Sequence, residues 1–127
     1  MITILPDNEY RKCALIQKQY PDNVFVLTAK DGDEYLGFGA VSMCDDYAYI
    51  EDVETVSGME SLEHGIFKSV LNFVERRSIY DCLCSLDKPA MLKRLGFAEA
   101  EKEWKEKVEN TDLLMYLNLK GYFEKHC

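Results

Sequence analysis

Apolar and polar residues repeat with two different periods along this chain, and the periods predict strands and helices. β-Branched and aromatic residues typical of strands predominate in residues 24–30 (VFVLTAK), 35–43 (YLGFGAVSM) and 47–56. Asp31-Gly32-Asp33 and Asp45-Asp46 separate these runs and have the composition of turns. The three runs therefore predict a meander of antiparallel strands.

A helix is predicted directly after this meander, over residues 58–76. Ser57 and Glu60 have the spacing of a capping box at its start. Apolar residues recur three and four positions apart, which places them on one broad helix face suited to packing on a sheet. The residues of this face are Leu62, Ile66, Phe67, Val70, Leu71, Phe73 and Val74.

Shorter patterns at both ends of the chain complete the predicted order β-α-β-β-β-α-β-α-β-β. Because a helix joins the strand at 47–56 to the next strand, those two strands are expected to pair in parallel. The order predicts an α/β (α+β) domain with a single mixed, mostly antiparallel sheet, a central parallel strand pair and flanking helices. We expect all 127 residues, 1–127, to form that one domain. The remaining predicted elements are strands at 2–5, 79–85, 97–104 and 113–119, helices at 7–19 and 89–95, a loop at 105–110, and a surface or packed tail at 121–127.

Composition is that of a soluble globular protein, with 47% apolar and 30% charged residues. No apolar run approaches the roughly 18–20 residues of a membrane span, and the N-terminus does not resemble a signal peptide, so a cytoplasmic protein is expected. Five cysteines, an odd number, favour free thiols. Cys82 and Cys84 would lie on one face of a strand as buried thiols, and no metal site is expected because the chain has only two histidines.

The net charge of −8 is unevenly distributed: the first 63 residues carry −9 and the rest carry +1. Such a balance argues against a nucleic-acid partner, whose phosphates need a positive surface. It is compatible with an amine bound by the acidic half and an anion bound by the other half. The alternative interpretation is that the acids only keep the protein soluble.

The stretch 47–71 combines a strand carrying Glu51 and Asp52 with a helix whose first turns contain Gly65 and Lys68. Free backbone N–H groups and the helix dipole both favour anions at a helix N-terminus. This stretch therefore predicts a place for a phosphorylated cofactor beside two carboxylates.

Two short motifs and the order of elements resemble the GNAT superfamily of N-acetyltransferases. Residues 91–97 (MLKRLGF) resemble the family's short helix that ends in Leu-Gly-Phe and leads into a strand. Residues 50–53 (IEDV), followed by residues 65–68 (GIFK), resemble its central strand and pyrophosphate loop. The resemblance covers nearly the whole chain and implies the GNAT-like acyl-CoA N-acyltransferase fold.

The resemblance also implies an activity, the transfer of an acetyl group from acetyl-CoA to the amine of a small-molecule acceptor. The strand backbone near residues 53–55 would pair with the pantetheine arm, and the backbone amides of residues 63–68 would receive the pyrophosphate. Lys88, Lys93 and Arg94 are further candidate neighbours of phosphate. The implied cofactor-binding residues are Val53, Glu54, Thr55, Glu63, His64, Gly65, Ile66, Phe67, Lys68 and Asp87.

Glu51 and Asp52 are the candidate catalytic residues, because the acceptor amine must lose a proton. Adjacent strand residues face opposite sides, so only one of the two is expected to face the site, and the family pattern favours Glu51. A backbone N–H near Val53 would bind the thioester oxygen. The alternative interpretation is that these acids form only a solvated strand edge.

The sequence departs from the family pattern at three positions. Leu62 and Phe67 replace a polar and a small residue of the pyrophosphate loop, and Leu92 stands where the family often has the tyrosine that protonates the leaving thiolate. These departures favour an alternative function, a catalytically degenerate GNAT-fold module for binding or interaction with weak or no CoA binding. A homodimer formed through the edge of the strand at 113–119 is a further expectation.

Overall fold

One mixed sheet of seven strands organises the computed structural model, which describes residues 1–109 and 113–126. Strands β4 and β5 are parallel, and every other neighbouring pair is antiparallel. This arrangement confirms the predicted fold class. In the sheet order β1-β2-β3-β4-β5-β7-β6, the strands are β1 (Ile2–Pro6), β2 (Val24–Asp31), β3 (Glu34–Met43), β4 (Ala48–Thr55), β5 (Asp81–Cys84), β7 (Met115–Asn118) and β6 (Ala98–Glu99).

Helices cover both faces of this sheet. The main core lies on one face, where α1 and α2 pack on buried residues such as Leu27, Ile50 and Cys82. On the other face, the segment after β1 covers Val26 and Phe38, and α3 covers the β5 side of the sheet. The helices are α1 (Glu63–Glu75), α2 (Pro89–Leu95), α3 (Lys102–Lys107) and α4 (Tyr122–His126), with 3₁₀ turns at Tyr10–Lys12 and Glu60–Leu62.

Two glycines of β3 allow α1 to approach the sheet closely. A Cβ at Gly39 would lie 2.8 Å from Cγ2 of Val70 and 2.9 Å from Cγ2 of Ile66. A Cβ at Gly37 would lie 2.7 Å from the carbonyl oxygen of Glu54. Both positions therefore exclude a side chain, which explains why glycines interrupt an otherwise apolar strand.

The predicted helix at 7–19 is wrong, because only the 3₁₀ turn Tyr10–Lys12 forms there. Asp7 does not cap a helix. Its carboxylate accepts hydrogen bonds from the Thr28 hydroxyl and from the Glu9 amide, both at 2.8 Å. These bonds hold the start of the segment against β2. The rest of the segment crosses the sheet without helical structure and buries Cys13.

The main helix begins later than predicted. The capping box at Ser57 does not form, because the Glu60 carboxylate instead accepts a hydrogen bond from the Gly58 amide at 3.3 Å. Gly58 has a φ of 89°, a left-handed conformation that ends the strand and starts a turn. One 3₁₀ turn then leads into α1 at Glu63, and no side chain caps that helix.

The region after α2 differs from its prediction as a strand at 97–104. Strand β6 contains only Ala98 and Glu99, and α3 occupies part of the predicted loop at 105–110. Helix-forming charged residues surround Trp104, which supplies an apolar contact to the sheet. Asn110 lies outside the described residues.

The strand predicted at 113–119 is confirmed as β7, but it is not an edge strand. It lies between β5 and β6, so the expected dimer edge is wrong: both of its sides are paired. In the tail, α4 packs through Tyr122, which is buried and whose hydroxyl donates a hydrogen bond to the carbonyl oxygen of Leu95 at 2.6 Å.

The cysteines of β5 are buried thiols, as predicted. Cys82 and Cys84 are both inaccessible to solvent, and burial raises the pKa of Cys84 to about 12 and that of Cys82 well above its usual value. Within residues 1–109 and 113–126, no group of three or more metal-ligating side chains comes together. In the same part of the chain, every helix is too short or too polar to cross a membrane.

Candidate active site

The two central strands separate halfway along β4. Parallel pairing extends over Ala48–Cys82, Tyr49–Leu83 and Ile50–Cys84, and there it stops because β5 ends. Strand β4 continues for five more residues, to Thr55, and remains paired with β3 on its other side. The β5-facing edge of β4 is therefore open over residues 51–55, and this opening is called the cleft below.

A β-bulge lies in β4 at the start of the cleft. Ala40 pairs with Asp52 and Val41 pairs with Ile50, so Glu51 is the extra residue of β4. Ile50 and Val53 are both buried in the core under α1. Because of the bulge, the side chains of Glu51 and Asp52 both lie on the face of the sheet opposite α1. The expectation that only one of them faces that side is wrong.

Glu51 lies against a polar cavity on that face. Its carboxylate accepts a hydrogen bond from the Ser42 hydroxyl at 2.6 Å. The cavity has a volume of 470 Å³, which is within the range of small-molecule sites. Tyr47 also lines it, and its hydrogen bond with the Cys44 side chain, together with burial, raises the pKa of Tyr47 to about 12. The other lining residues are Asn23, Ser42, Cys44, Tyr49, Lys107, Val108 and Glu109.

Asp52 has a different environment, although it is the next residue. Its Oδ2 atom accepts a hydrogen bond from the Tyr20 hydroxyl at 2.6 Å and forms an ion pair with Lys18 Nζ at 2.8 Å. Burial and this carboxylate raise the pKa of Tyr20. A second cavity, of 430 Å³, lies here between the segment after β1 and residues Phe38, Asp52 and Glu54 of the sheet. Asp52 therefore binds the segment between β1 and β2, called the covering segment below, to β4.

The N-terminus of α1 lies at the other end of the open strand edge. Lys88, at the start of α2, forms a 2.9 Å ion pair with Glu63 in the first turn of α1. Both side chains are partly buried, so the charge of Glu63 is balanced by an internal partner. A balanced Glu63 carboxylate repels a phosphate at this helix start less than an unpaired one would.

Two cationic side chains, Lys68 and Arg94, lie near the same helix start, and the Lys68 ammonium lies over the Tyr122 ring at 4.7 Å. Burial and the charges of Arg94 and Lys68 lower the pKa of His64. Lys68 and Arg94 thus lie near His64 on α1 and α2. The charge distribution is favourable for phosphate at this place.

The predicted cofactor residues of α1 contribute in different ways. Ile66 and Phe67 are fully buried in the main core, so only their backbone can meet a ligand, and the Phe67 side chain does not crowd the helix start. Among the described residues outside the helix's own backbone, an added Cβ at Gly65 would come within 4 Å only of Cδ1 of Ile4, at 3.4 Å. Packing of the chain therefore does not require glycine there, and its small size keeps the helix start open.

The position of the expected proton donor is confirmed as unsuitable, since Leu92 is buried in the core. Another hydroxyl pair lies at the point where the strands separate: Tyr49 of β4 is hydrogen-bonded to Ser85, the first residue after β5. Asp87 is exposed in the loop that follows. Of the site neighbours, sequence reasoning missed Ser42, Tyr20 and Lys18; only Ser42 left a signal, as a hydroxyl within an apolar strand.

Together, the separated parallel strands, the bulged central strand and the helix that starts beside them define the fold of the GNAT acetyltransferases. A GNAT-family acetyltransferase from Staphylococcus aureus Mu50 has a TM-score of 0.70 at 12% identity, over 94% of this chain and 99% of that one. The Escherichia coli ribosomal-protein-S18-alanine N-acetyltransferase has a TM-score of 0.64 at 12% identity, over 80% of both chains.

A third similar structure was solved with a ligand. The PaiA N-acetyltransferase from Thermoplasma acidophilum, in complex with coenzyme A, has a TM-score of 0.61 at 11% identity, over 76% of this chain and 61% of that one. Comparisons of sequence alone find no matching family model and no matching curated protein. The resemblance seen in the sequence is thus confirmed for the fold.

Proposed function

We propose that this protein is an N-acetyltransferase that moves an acetyl group from acetyl-CoA to the amine of a small acceptor. One observation carries the proposal: β4 and β5 separate after Ile50 and Cys84, and the strand edge that this opens runs to Thr55, close to Ile66 in the first turn of α1. An open strand edge offers backbone groups to an extended pantetheine arm, and a helix start favours its phosphates. Similar structures include acetyltransferases, one of them in complex with coenzyme A.

The residues present fit this co-substrate. Val53, Glu54 and Thr55 form the open edge that would hold the pantetheine arm. Backbone amides of residues 63–68 would receive the pyrophosphate, with Lys68 and Arg94 nearby. Lys88 keeps Glu63 neutralised, and Asp87 lies in the neighbouring loop. Bound acetyl-CoA would supply an activated acyl group as a thioester.

Glu51 is the residue we assign to accept the proton of the acceptor amine. Its carboxylate lies on the face opposite α1, is oriented by the neutral hydroxyl of Ser42, and opens on the 470 Å³ cavity. Asp52 is instead committed to Lys18 and Tyr20, so it positions the covering segment. The Val53 amide is the proposed donor to the thioester oxygen.

The acceptor is proposed to be a small amine. The cavity beside Glu51 has the volume of a small-molecule site, and two carboxylates and three hydroxyl groups line it together with Lys107, which is paired with Asp46. A protonated amine is attracted to such carboxylates before it loses its proton.

One observation favours a second function, a GNAT-fold module without catalysis. Leu92, at the position where the resemblance implies a proton donor, has no proton to give a leaving thiolate, and it is buried in the core. In that case the cleft would bind CoA weakly or not at all.

Two measurements separate these functions. Isothermal titration calorimetry with CoA tests the cleft, and release of free thiol from acetyl-CoA with a panel of small primary amines tests the transfer. We expect binding and amine-dependent thiol release. Binding without release for any amine would favour the second function, and no binding at millimolar CoA would refute the proposed activity.

A further inference from the structure

Lys18 holds its amine on the same sheet face as Glu51, in the 430 Å³ cavity beside Asp52. The side chain comes from the irregular segment between β1 and β2, and its Nζ atom lies 2.8 Å from Oδ2 of Asp52. The Tyr20 hydroxyl donates to the same oxygen at 2.6 Å. A primary amine of the chain is thus fixed to the central strand at its bulge.

The carboxylate that binds Lys18 belongs to Asp52, a residue of the open edge of β4. Asp52 pairs with Ala40 on its β3 side, while β5 has already ended on its other side. Its side chain lies on the face opposite α1, which is also the face of Glu51 and Ser42. The Lys18 amine is therefore bound to the carboxylate of a residue on the open strand edge.

Lys18 remains accessible in this position. Its side chain is 61% exposed, close to the 68% of Lys12, which has a carboxylate partner of its own in Glu9. The two lysines differ in where that partner lies, since Glu9 is near the start of the covering segment and Asp52 is on β4. Lys12 is therefore a matched control for Lys18.

We propose that Lys18 is a site of self-acetylation, the amine of the chain itself acting as an acceptor. This inference rests on the proposed function, because acetyl-CoA is the acyl donor.

The step balances without another reactant. The ammonium of Lys18 first leaves its ion pair with Asp52 and gives one proton to the carboxylate of the adjacent residue, Glu51, and the amine attacks the thioester carbonyl carbon. The new C–N bond forms, the C–S bond breaks, and the sulfur leaves with the electron pair and is protonated to the free thiol. The products are a neutral amide at position 18, CoA and one released proton.

Acetylation would change the segment that carries Lys18. A neutral amide no longer forms the ion pair with Asp52, so one of the two contacts between Asp52 and the covering segment is lost. Asp52 then keeps the Tyr20 bond and gains freedom to meet an external amine.

Site-resolved mass spectrometry of the full chain incubated with acetyl-CoA tests the proposal. We expect Lys18 to be acetylated roughly 100-fold faster than Lys12, the scale of a positioned general base. The rate at Lys18 should not depend on protein concentration and should fall in the Glu51→Gln variant, while the rate at Lys12 stays the same. Equal rates at the two lysines would overturn the proposal.

A cross-linking measurement reads proximity without catalysis. The Lys18→Cys and Lys12→Cys variants are each incubated with CoA disulfide, and mixed disulfides are located by mass spectrometry. We expect at least about a tenfold faster reaction at position 18, because the bound thiol is held nearby. No preference for position 18 would contradict the proposed proximity.

The outcomes also separate this inference from the proposed function. Transfer to added amines with no preferred acetylation of Lys18 would overturn self-acetylation alone. If CoA does not bind and neither lysine is favoured, the proposed function fails and this inference with it.

Discussion

At the scale of single residues, two adjacent carboxylates have different partners. Glu51 accepts a hydrogen bond from a neutral hydroxyl and borders a cavity, whereas Asp52 is bound by an ammonium and a phenol. A group that must accept a proton is better served by the first environment, because Lys107 in that cavity is paired with Asp46 and Glu51 forms no ion pair with any of the described residues. The geometry therefore assigns proton transfer to Glu51 and positioning to Asp52.

Replacing Glu51 by glutamine tests that assignment. Glu51→Gln keeps the size of the side chain and its hydrogen bond with Ser42 but removes the base. We expect kcat for amine acetylation to fall about 100-fold, the usual contribution of a general base, while CoA affinity is unchanged. Glu34→Gln, on the exposed end of β3, is the control that should leave both quantities as they are. Unchanged turnover in the Glu51 variant would exclude it as the base.

At the scale of elements, helix α1 packs on the sheet along one face and carries the proposed phosphate site at its first turn. Gly39 lets the helix touch β3, while Gly65 keeps its first turn open. Glu63 and Lys88 join the starts of α1 and α2 across the end of the cleft. The same helix thus serves the core and the site through different residues.

The two glycines predict opposite effects of the same substitution. Gly39→Ala places a methyl group 2.8 Å from Val70 and should lower the free energy of unfolding by about 1–3 kcal/mol. Gly65→Ala makes only an ordinary contact with Ile4, so stability should be kept or raised by up to about 1 kcal/mol. CoA affinity of the Gly65 variant should nevertheless fall about tenfold, equal to about 1.4 kcal/mol.

Urea unfolding and calorimetric titration with CoA measure these two quantities separately. A Gly65→Ala variant that binds CoA as tightly as the natural chain would show that the helix start is not part of the site. A Gly39→Ala variant of unchanged stability would contradict the close packing of α1 on β3.

The ion pair between Glu63 and Lys88 makes a further prediction about CoA. Lys88→Met leaves a partly buried carboxylate unbalanced at the proposed phosphate site, so CoA affinity should fall about tenfold. Adding Glu63→Gln to that variant should restore most of the affinity, because the repelling charge is gone. Calorimetric titration of the two variants decides the matter: a double variant as weak as the single one would show that Lys88 acts by itself.

The elements could be predicted where local patterns suffice. The alternation in β2 to β4 and the apolar stripe of α1 specify their own structure, and the Leu-Gly-Phe motif correctly places the end of α2. Local patterns do not reveal long-range hydrogen bonds: the Asp7 side chain, at the start of the predicted helix 7–19, is bound to Thr28 of β2. The bulge at Glu51 depends on the register with β3, and the Lys18–Asp52 contact joins residues far apart in sequence, so neither leaves a local signal.

At the scale of the whole molecule, seven strands enclose titratable groups that favour their neutral forms. Burial raises the pKa of Cys84 from 9.0 to about 12, and it raises the pKa values of Cys82 and Tyr20 in the same direction. The unfolded chain therefore loses these protons at lower pH than the folded chain does. Stability contributed in this way is present below pH 9 and is lost as pH rises towards 12.

Urea unfolding at pH 8 and at pH 10 checks this dependence. The free energy of unfolding should be lower at pH 10, and the Cys84→Ala variant should show a smaller decrease between the two values, by about 1 kcal/mol. The comparison is between slopes, so the cost of the substitution itself cancels. An equal decrease in both proteins would contradict the high pKa of Cys84.

The central claim is that the cleft between β4 and β5 binds acetyl-CoA with its thioester at the bulge. The most direct measurement is a crystal structure of the protein in complex with acetyl-CoA. The account predicts the pantetheine arm along residues 53–55 of β4, the phosphates at the start of α1, and the acetyl group beside Glu51 and the Lys18 amine. Acetyl-CoA bound at another surface, or a cleft that stays closed at saturating ligand, would contradict it.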